Sequence, residues 1–254
     1  MKQKIYKLAS ILLTLALVLS TCICAIGTAS AATEATYYVS PDGVDTADGL
    51  TATTPVPTVD KAVNLALAAG CVKGDTVYVK VIHVPDKVNV WTTASNNLIT
   101  AHEFTLDVSS YADKAQISDG AQTHFNGPTN ISNIKFGWGG WKAVNLNAND
   151  VVIGEGVETV TAEYNIHLAS ANKAYDNDVN LTLKSPINRA FYLGGEWAGP
   201  TYNGNVNITV DIPGKQQFVI GTNNGNGVVH AAKFNAAVNV NIKKASAVTF
   251  SIPN

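Results

Sequence analysis

The chain has 254 residues, 46% hydrophobic and 14% charged, with 17 basic against 19 acidic side chains. Three of the bases (Lys2, Lys4, Lys7) and none of the acids lie in the first 31 residues, so the remainder carries a net charge of −5, which argues against a nucleic-acid partner. Cys22 and Cys24 also lie in that leader, leaving Cys71 alone beyond it, unable to form an internal disulfide and best read as a small buried apolar residue.

The leader has three parts: a basic start, an apolar run from Ala9 to Leu19 broken only by Ser10 and Thr14, and the small-x-small site Ala29-Ser30-Ala31. This is the pattern of a secretory signal spanning 1–31, removed on export to leave a secreted or cell-surface protein. The alternatives are an uncleaved anchor and lipidation at Cys22. The cleavage site so soon after the apolar run weighs against the first, and Thr21 before the cysteine against the second. No later segment reaches the roughly 18 apolar residues that a spanning helix needs, so no membrane span is expected after cleavage.

Next comes Tyr37 to Leu50, YYVSPDGVDTADGL, with Asp42, Asp45 and Asp48 spaced by three. Carboxylates near glycine carbonyls are hard oxygen donors of the kind calcium prefers, but the EF-hand spacing and its late glutamate are missing. Asx-turns at Asp42-Gly43 and Asp48-Gly49 account for the same residues without a metal. Structural calcium stands as the alternative, and no other cofactor is implied.

One helix is expected after Pro57, with Thr58 as N-cap, Asp60 in the first turn, and Val59, Val63, Ala66 and Leu67 as its apolar stripe. Gly70 stops it, Lys73-Gly74-Asp75 turns the chain, and Thr76 to Ile82 alternates as a strand with Val77, Val79 and Val81 on one face. Beyond this, short β-branched runs alternate with Asn/Gly-rich turns. The clearest order is a repeat. Val179-Asn180-Leu181-Thr182-Leu183 returns as Val206-Asn207-Ile208-Thr209-Val210 and as Val238-Asn239-Val240-Asn241-Ile242. Phe191, Phe218 and Phe250 follow at one fixed offset, giving units at 179–193, 206–220 and 238–252. Alternation turns the aliphatics inward and the Asn and Thr outward, and a unit this small buries its apolar face only by stacking on neighbours. The segments at 131–136 and 151–157 resemble earlier, degenerate coils. A β-sandwich with similar strands is the alternative, less able to explain constant internal spacing.

In order, YYVSPDGVDTADG, TTPVPTVDKAVNLA and KGDTVYVK at about residues 37–80 resemble the N-terminal opening of exported right-handed parallel β-helix proteins of the pectate-lyase-like superfold, nearest to repetitive bacterial surface proteins. The resemblance implies an all-β solenoid: strand, turn and capping helix over 32–74, then coils over 75–254. Activities in such families are scattered among calcium-dependent lyases, hydrolases, epimerases and adhesins, so the cap carries no catalytic residue over.

The sequence itself offers little acid–base chemistry. Asp176, Asp178, Lys184 and Arg189 cluster as a lyase would need, yet read equally as solvated turn charges. Asp119, Glu155, Glu158 and Glu163 suggest no pairing, and His83, His102, His124, His167 and His230 lack metal-ligand spacing. Aromatic loops are more informative. Trp138 and Trp141 in GWGGW, with Trp197 and Tyr202 in EWAGPTY, are candidates for stacking on sugar rings; the alternative is that they fold back over loop bases. The resulting expectation is a secreted or cell-surface module with an adhesive, scaffolding or glycan-contacting role and no recognised catalytic site. A calcium-dependent, polysaccharide-active enzyme is the alternative. Since no capping element follows the third unit, the C-terminal end is expected to be covered by further chain or by a partner.

Overall fold

The computed structural model describes residues 33–93, 97–118, 122–137, 142–159, 164–169, 173–188, 190–194, 199–223 and 229–251. The leader 1–31, Cys22, Asp119, Trp138, Trp141, Glu163, Arg189 and Trp197 lie outside them.

The described residues form an all-β architecture of parallel sheets with one α-helix. The largest sheet has eight strands: Glu34–Val39, Thr76–Val81, Thr105–Ser110, Thr129–Ser132, Val151–Ile153, Val179–Leu183, Val206–Asp211 and Val238–Lys244, adjacent in chain order. Between its strands the chain visits the others. A four-stranded sheet holds Asn89–Val90, Gln116–Ser118, Lys135–Phe136 and Glu158–Thr159. A six-stranded sheet runs from Gln122–His124 through Lys142–Asn145, Tyr164–His167, Phe191–Tyr192 and Lys215–Val219 to Ala247–Ser251. A three-stranded sheet joins Ala174–Tyr175, Thr201–Tyr202 and Lys233–Phe234. One circuit thus adds one strand to each of several sheets, an order compatible with a parallel β-solenoid. Thr222–Asn223 and Val229–His230 form a separate antiparallel pair.

Strand alternation places the core. Val77, Val79, Val81, Leu106, Val108, Ile131, Val151, Ile153 and their counterparts as far as Val210 are buried and stacked from strand to strand. In the repeat, Val179 pairs with Val206 and Val206 with Val238, while Phe191 pairs with Phe218 and Phe218 with Phe250. Phe218 lies between the other two rings, with centroids 5.9 Å and 5.1 Å away. Earlier in the chain Trp91, Phe125 and Phe136 belong to the same buried core, with Trp91 edge-on to Phe125 at 4.8 Å.

The helix, Val59–Ala68, begins where Thr58 is extended (φ −141°, ψ 157°) and its Oγ1 accepts from Lys61 N at 3.0 Å. Val59, Ala62, Val63 and Ala66 are buried, whereas Leu67 is only half-buried. Gly70 ends it at φ +88°, a left-handed conformation that costs glycine nothing. Asp75 then ties the next strand down, accepting from Thr33 N at 2.7 Å and Val72 N at 2.8 Å, which holds its carboxyl below the usual range. Beside it, Cys71 is buried, and burial followed by the Asp75 charge raises its thiol pKa.

Candidate functional site

Two of the three aspartates of the opening stretch, Asp42 and Asp48, have partners within the protein. Asp48 Oδ1 accepts from Thr54 Oγ1 at 2.7 Å and Leu50 N at 3.0 Å, and these bonds lower its pKa. Asp42 pairs with Lys87. Among the described residues no three His, Cys, Asp or Glu side chains converge where they could hold a metal ion. The loop lies along the free edge of the first strand, with Tyr38 N donating to Gly49 O, Val56 N to Tyr38 O, and Ser40 N to Val56 O.

The acidic residues set out as lyase candidates serve as hydrogen-bond acceptors between coils. Asp176 Oδ1 accepts from Asn203 Nδ2 at 2.6 Å, and Asp178 Oδ1 accepts from Asn205 N at 2.7 Å, holding the Asp178 carboxyl below its usual range. Each heads a short ladder: Asn203 Oδ1 accepts from Asn235 Nδ2 at 2.7 Å, and Asn205 Oδ1 accepts from Ala237 N at 3.3 Å. A third ladder begins at Asp150, which accepts from Asn180 Nδ2 at 3.0 Å. Of the remaining acids, Glu155 is exposed and Glu158 pairs with Lys114 at 2.5 Å, which lowers its pKa.

Tyr202 is not at the surface. Its ring is 1% exposed, stacked between Tyr175 and Phe234 at 5.9 Å and 5.2 Å, and its hydroxyl donates to Leu193 O at 2.7 Å. Burial pushes the phenol pKa well up. A ring enclosed on both faces cannot stack on a ligand, so the sugar-stacking expectation for Tyr202 is corrected. The next ring of the same row, Tyr175, is half-buried, and Lys173 Nζ sits 5.3 Å from its centroid.

Lys173 and Tyr175 form one wall of a side cleft whose other lining residues are Ala101, Asn126, Asn147 and Asn149. The asparagines are set by the turns that follow successive strands of the six-stranded sheet. Asn147 Nδ2 donates to Asn126 Oδ1 at 2.8 Å, Asn126 Nδ2 donates to Ile99 O at 2.9 Å, and Asn149 Nδ2 donates to Leu146 O at 2.9 Å and Phe125 O at 3.0 Å. Asn147 and Ala148 are both left-handed, at φ 49° and 53°. Asparagine tolerates this conformation, while alanine at such an angle costs about 1–2 kcal/mol. The strained turn is held by Ala148 N donating to Leu168 O at 2.7 Å. The cleft's described lining residues present fixed amides, one ammonium group and an aromatic ring, a set suited to polar recognition.

Next to the cleft runs a polar row. His124 pairs in register with Asn145, Asn145 with His167, and His167 with Tyr192. His167 is 1% exposed; its Nδ1 lies 3.0 Å from Gly194 O, and burial brings its pKa down to about 4. His124, half-buried and bonded to Asn147 of the cleft, is also lowered, by burial. Among the described residues, both amide atoms of Asn145 and Nε2 of His167 are buried without a hydrogen-bond partner.

No protein-family model, curated protein or solved structure matches the chain.

Proposed function

We propose that the chain is an exported, secreted or cell-surface module built as a right-handed parallel β-helix, and that its side cleft contacts a glycan. The observation that carries this reading is the cleft itself. Amides of Asn126, Asn147 and Asn149, anchored by backbone and neighbouring side chains, line it together with Tyr175 and Lys173. Sugars are gripped in this way, by amide hydrogen bonds to hydroxyls and by an apolar ring against the pyranose face. The rotation of the chain through parallel sheets, together with the helix cap and the resemblance of residues 37–80, supports the β-helix and its export. A glycan array probed with the chain from residue 32, followed by calorimetry on the best ligand, tests the reading. The expected result is saturable binding that Lys173→Ala and Asn149→Ala weaken at least tenfold, with Lys173→Ala melting like the parent. Absence of any glycan ligand, or binding indifferent to both substitutions, overturns it. Chelator-sensitive release of unsaturated products from uronate-containing glycans would establish the enzymatic alternative instead.

A further inference from the structure

The two ends of the large sheet are unequal. At the first strand, the loop 49–56 occupies the outer edge and the helix Val59–Ala68 packs its buried face over the interior. At the other end, Val238–Lys244 pairs with Val206–Asp211 on one side and with no described strand on the other. Val238 and Val240 are 38% exposed, Ile242 53% and Phe250 41%, although their counterparts Val206, Ile208, Val210 and Phe218 are at most 1% exposed. The exposed face is therefore core-type surface, with an unpaired strand edge beside it.

Side-chain polarity and charge narrow what can cover it. Each Asp–Asn ladder begins at a carboxylate, which only accepts, so every following asparagine turns its Nδ2 back and its Oδ1 forward. Asn239, whose Nδ2 is given to Asn207, therefore presents an acceptor at the open edge. Donors stand at the far end of the same strand, in Lys243 and Lys244. Ala237 O accepts from Val206 N, so up to Ile242 the odd-numbered residues spend their backbone groups on the neighbour and Val238, Val240 and Ile242 turn theirs outward; beyond the register shift at Lys243, Lys244 O accepts from Ile212 N. An antiparallel mate of the same sequence, centred on Asn241, sets Val240 opposite Ile242 and brings the acceptor of Asn239 to the lysine end of the mate. The lysines of the two copies then lie at opposite ends, whereas a parallel mate would stack them on each other. Because the other end is covered, a copy cannot add head to tail.

We propose that two copies of this chain pair through Val238–Lys244 across a two-fold axis at Asn241, joining the eight-stranded sheets and covering the exposed Val238, Val240 and Ile242. Sedimentation velocity on the chain from residue 32, over about a hundredfold range of concentration, is expected to show a monomer–dimer equilibrium. Val240→Lys should raise the dissociation constant at least tenfold while the far-UV circular dichroism stays that of the parent. If that variant folds poorly, Asn241→Cys provides the second test. Directly opposed residues of a non-hydrogen-bonded antiparallel pair have the Cα separation a disulfide needs, so this variant should oxidise to a covalent dimer while Asn130→Cys, on an interior strand of the same sheet, should not. A monomer at every concentration, an open-ended assembly, or a dimer unaffected by Val240→Lys and not trapped by Asn241→Cys would overturn the proposal.

Discussion

Asn207 Nδ2 donates to Asn180 Oδ1 across 3.0 Å, joining residues 27 apart in sequence, and Asn207 Oδ1 accepts in turn from Asn239 Nδ2 at 2.9 Å, 32 residues on. The unequal spacings show how the fold accommodates insertions. The five-residue difference falls in the Asn/Gly-rich segment around 222–227, while the strands keep their register. Replacing Asn207 by Ala removes both bonds on a partly solvated face, and the expected loss is about 1 kcal/mol, read by urea unfolding. Asn207→Asp should cost more at neutral pH than at low pH, because an ionised carboxylate there faces the Asn180 acceptor.

The phenylalanine row separates interior from edge. Phe218 is fully buried between two rings, so Phe218→Ala should cost about 3–5 kcal/mol. Phe250 is 41% exposed, and Phe250→Ala should cost less than half as much, measured in the same denaturant series.

Two glycines of the N-terminal region are required for different reasons. A Cβ on Gly43 would lie 2.3 Å from the backbone of Val56, whereas one on Gly70 meets nothing within 4 Å but must adopt φ +88°. Gly43→Ala is therefore expected to lower stability by about 2 kcal/mol or more, through overpacking against backbone that cannot yield. Gly70→Ala should cost about 1 kcal/mol, the strain of a left-handed alanine. Thermal melts of the pair should rank them in that order.

Stability should fall with acidity in a defined window. His167 is buried neutral with a pKa of about 4, below the 6.5 of an ordinary imidazole. The unfolded chain takes up a proton between those values and the folded chain does not, so stability is fully present above pH 6.5 and declines as pH falls towards 4. The decline from this residue is on the order of 3 kcal/mol. His167→Gln should flatten that limb of the stability–pH curve, even if it lowers stability at neutral pH.

Chelation should change nothing at the N-terminus. Asp42 and Asp48 already have protein partners, and Asp45 brings no third carboxylate to them. The Tm of the chain is expected to be the same in EDTA and in millimolar calcium, and a calcium-dependent rise would restore the metal reading of this loop.

Much of the architecture was legible because strands of a repeat reuse the same pattern. The helix start at Thr58 and its stop at Gly70 follow from local chemistry, and the Val179, Val206 and Val238 segments lie side by side. The third face of the coil went unread, although its signal is present: Tyr175, Tyr202 and Phe234 each stand four residues before one of those valines. Read as a loop aromatic, Tyr202 looked exposed. Stacking between coils is a tertiary effect, and it buries Tyr202 in a segment whose glycine and proline suggest a surface. The cleft was illegible for the same reason. Asn126, Asn147 and Tyr175 meet only because strands distant in sequence lie side by side, and no local spacing announces them.

The central claim is that each circuit of the chain adds one strand to the large sheet. Asp107, Asn130, Val152, Thr182, Thr209 and Asn241 pair in register across six adjacent strands. Five steps of about 4.8 Å put the Cα atoms of Asp107 and Asn241 about 24 Å apart. Spin labels on Asp107→Cys and Asn241→Cys, in a chain from residue 32 with Cys71→Ala and diluted with unlabelled protein, should give one narrow distance distribution near that value. A separation below about 15 Å, or a broad distribution, would place those strands otherwise and contradict the account.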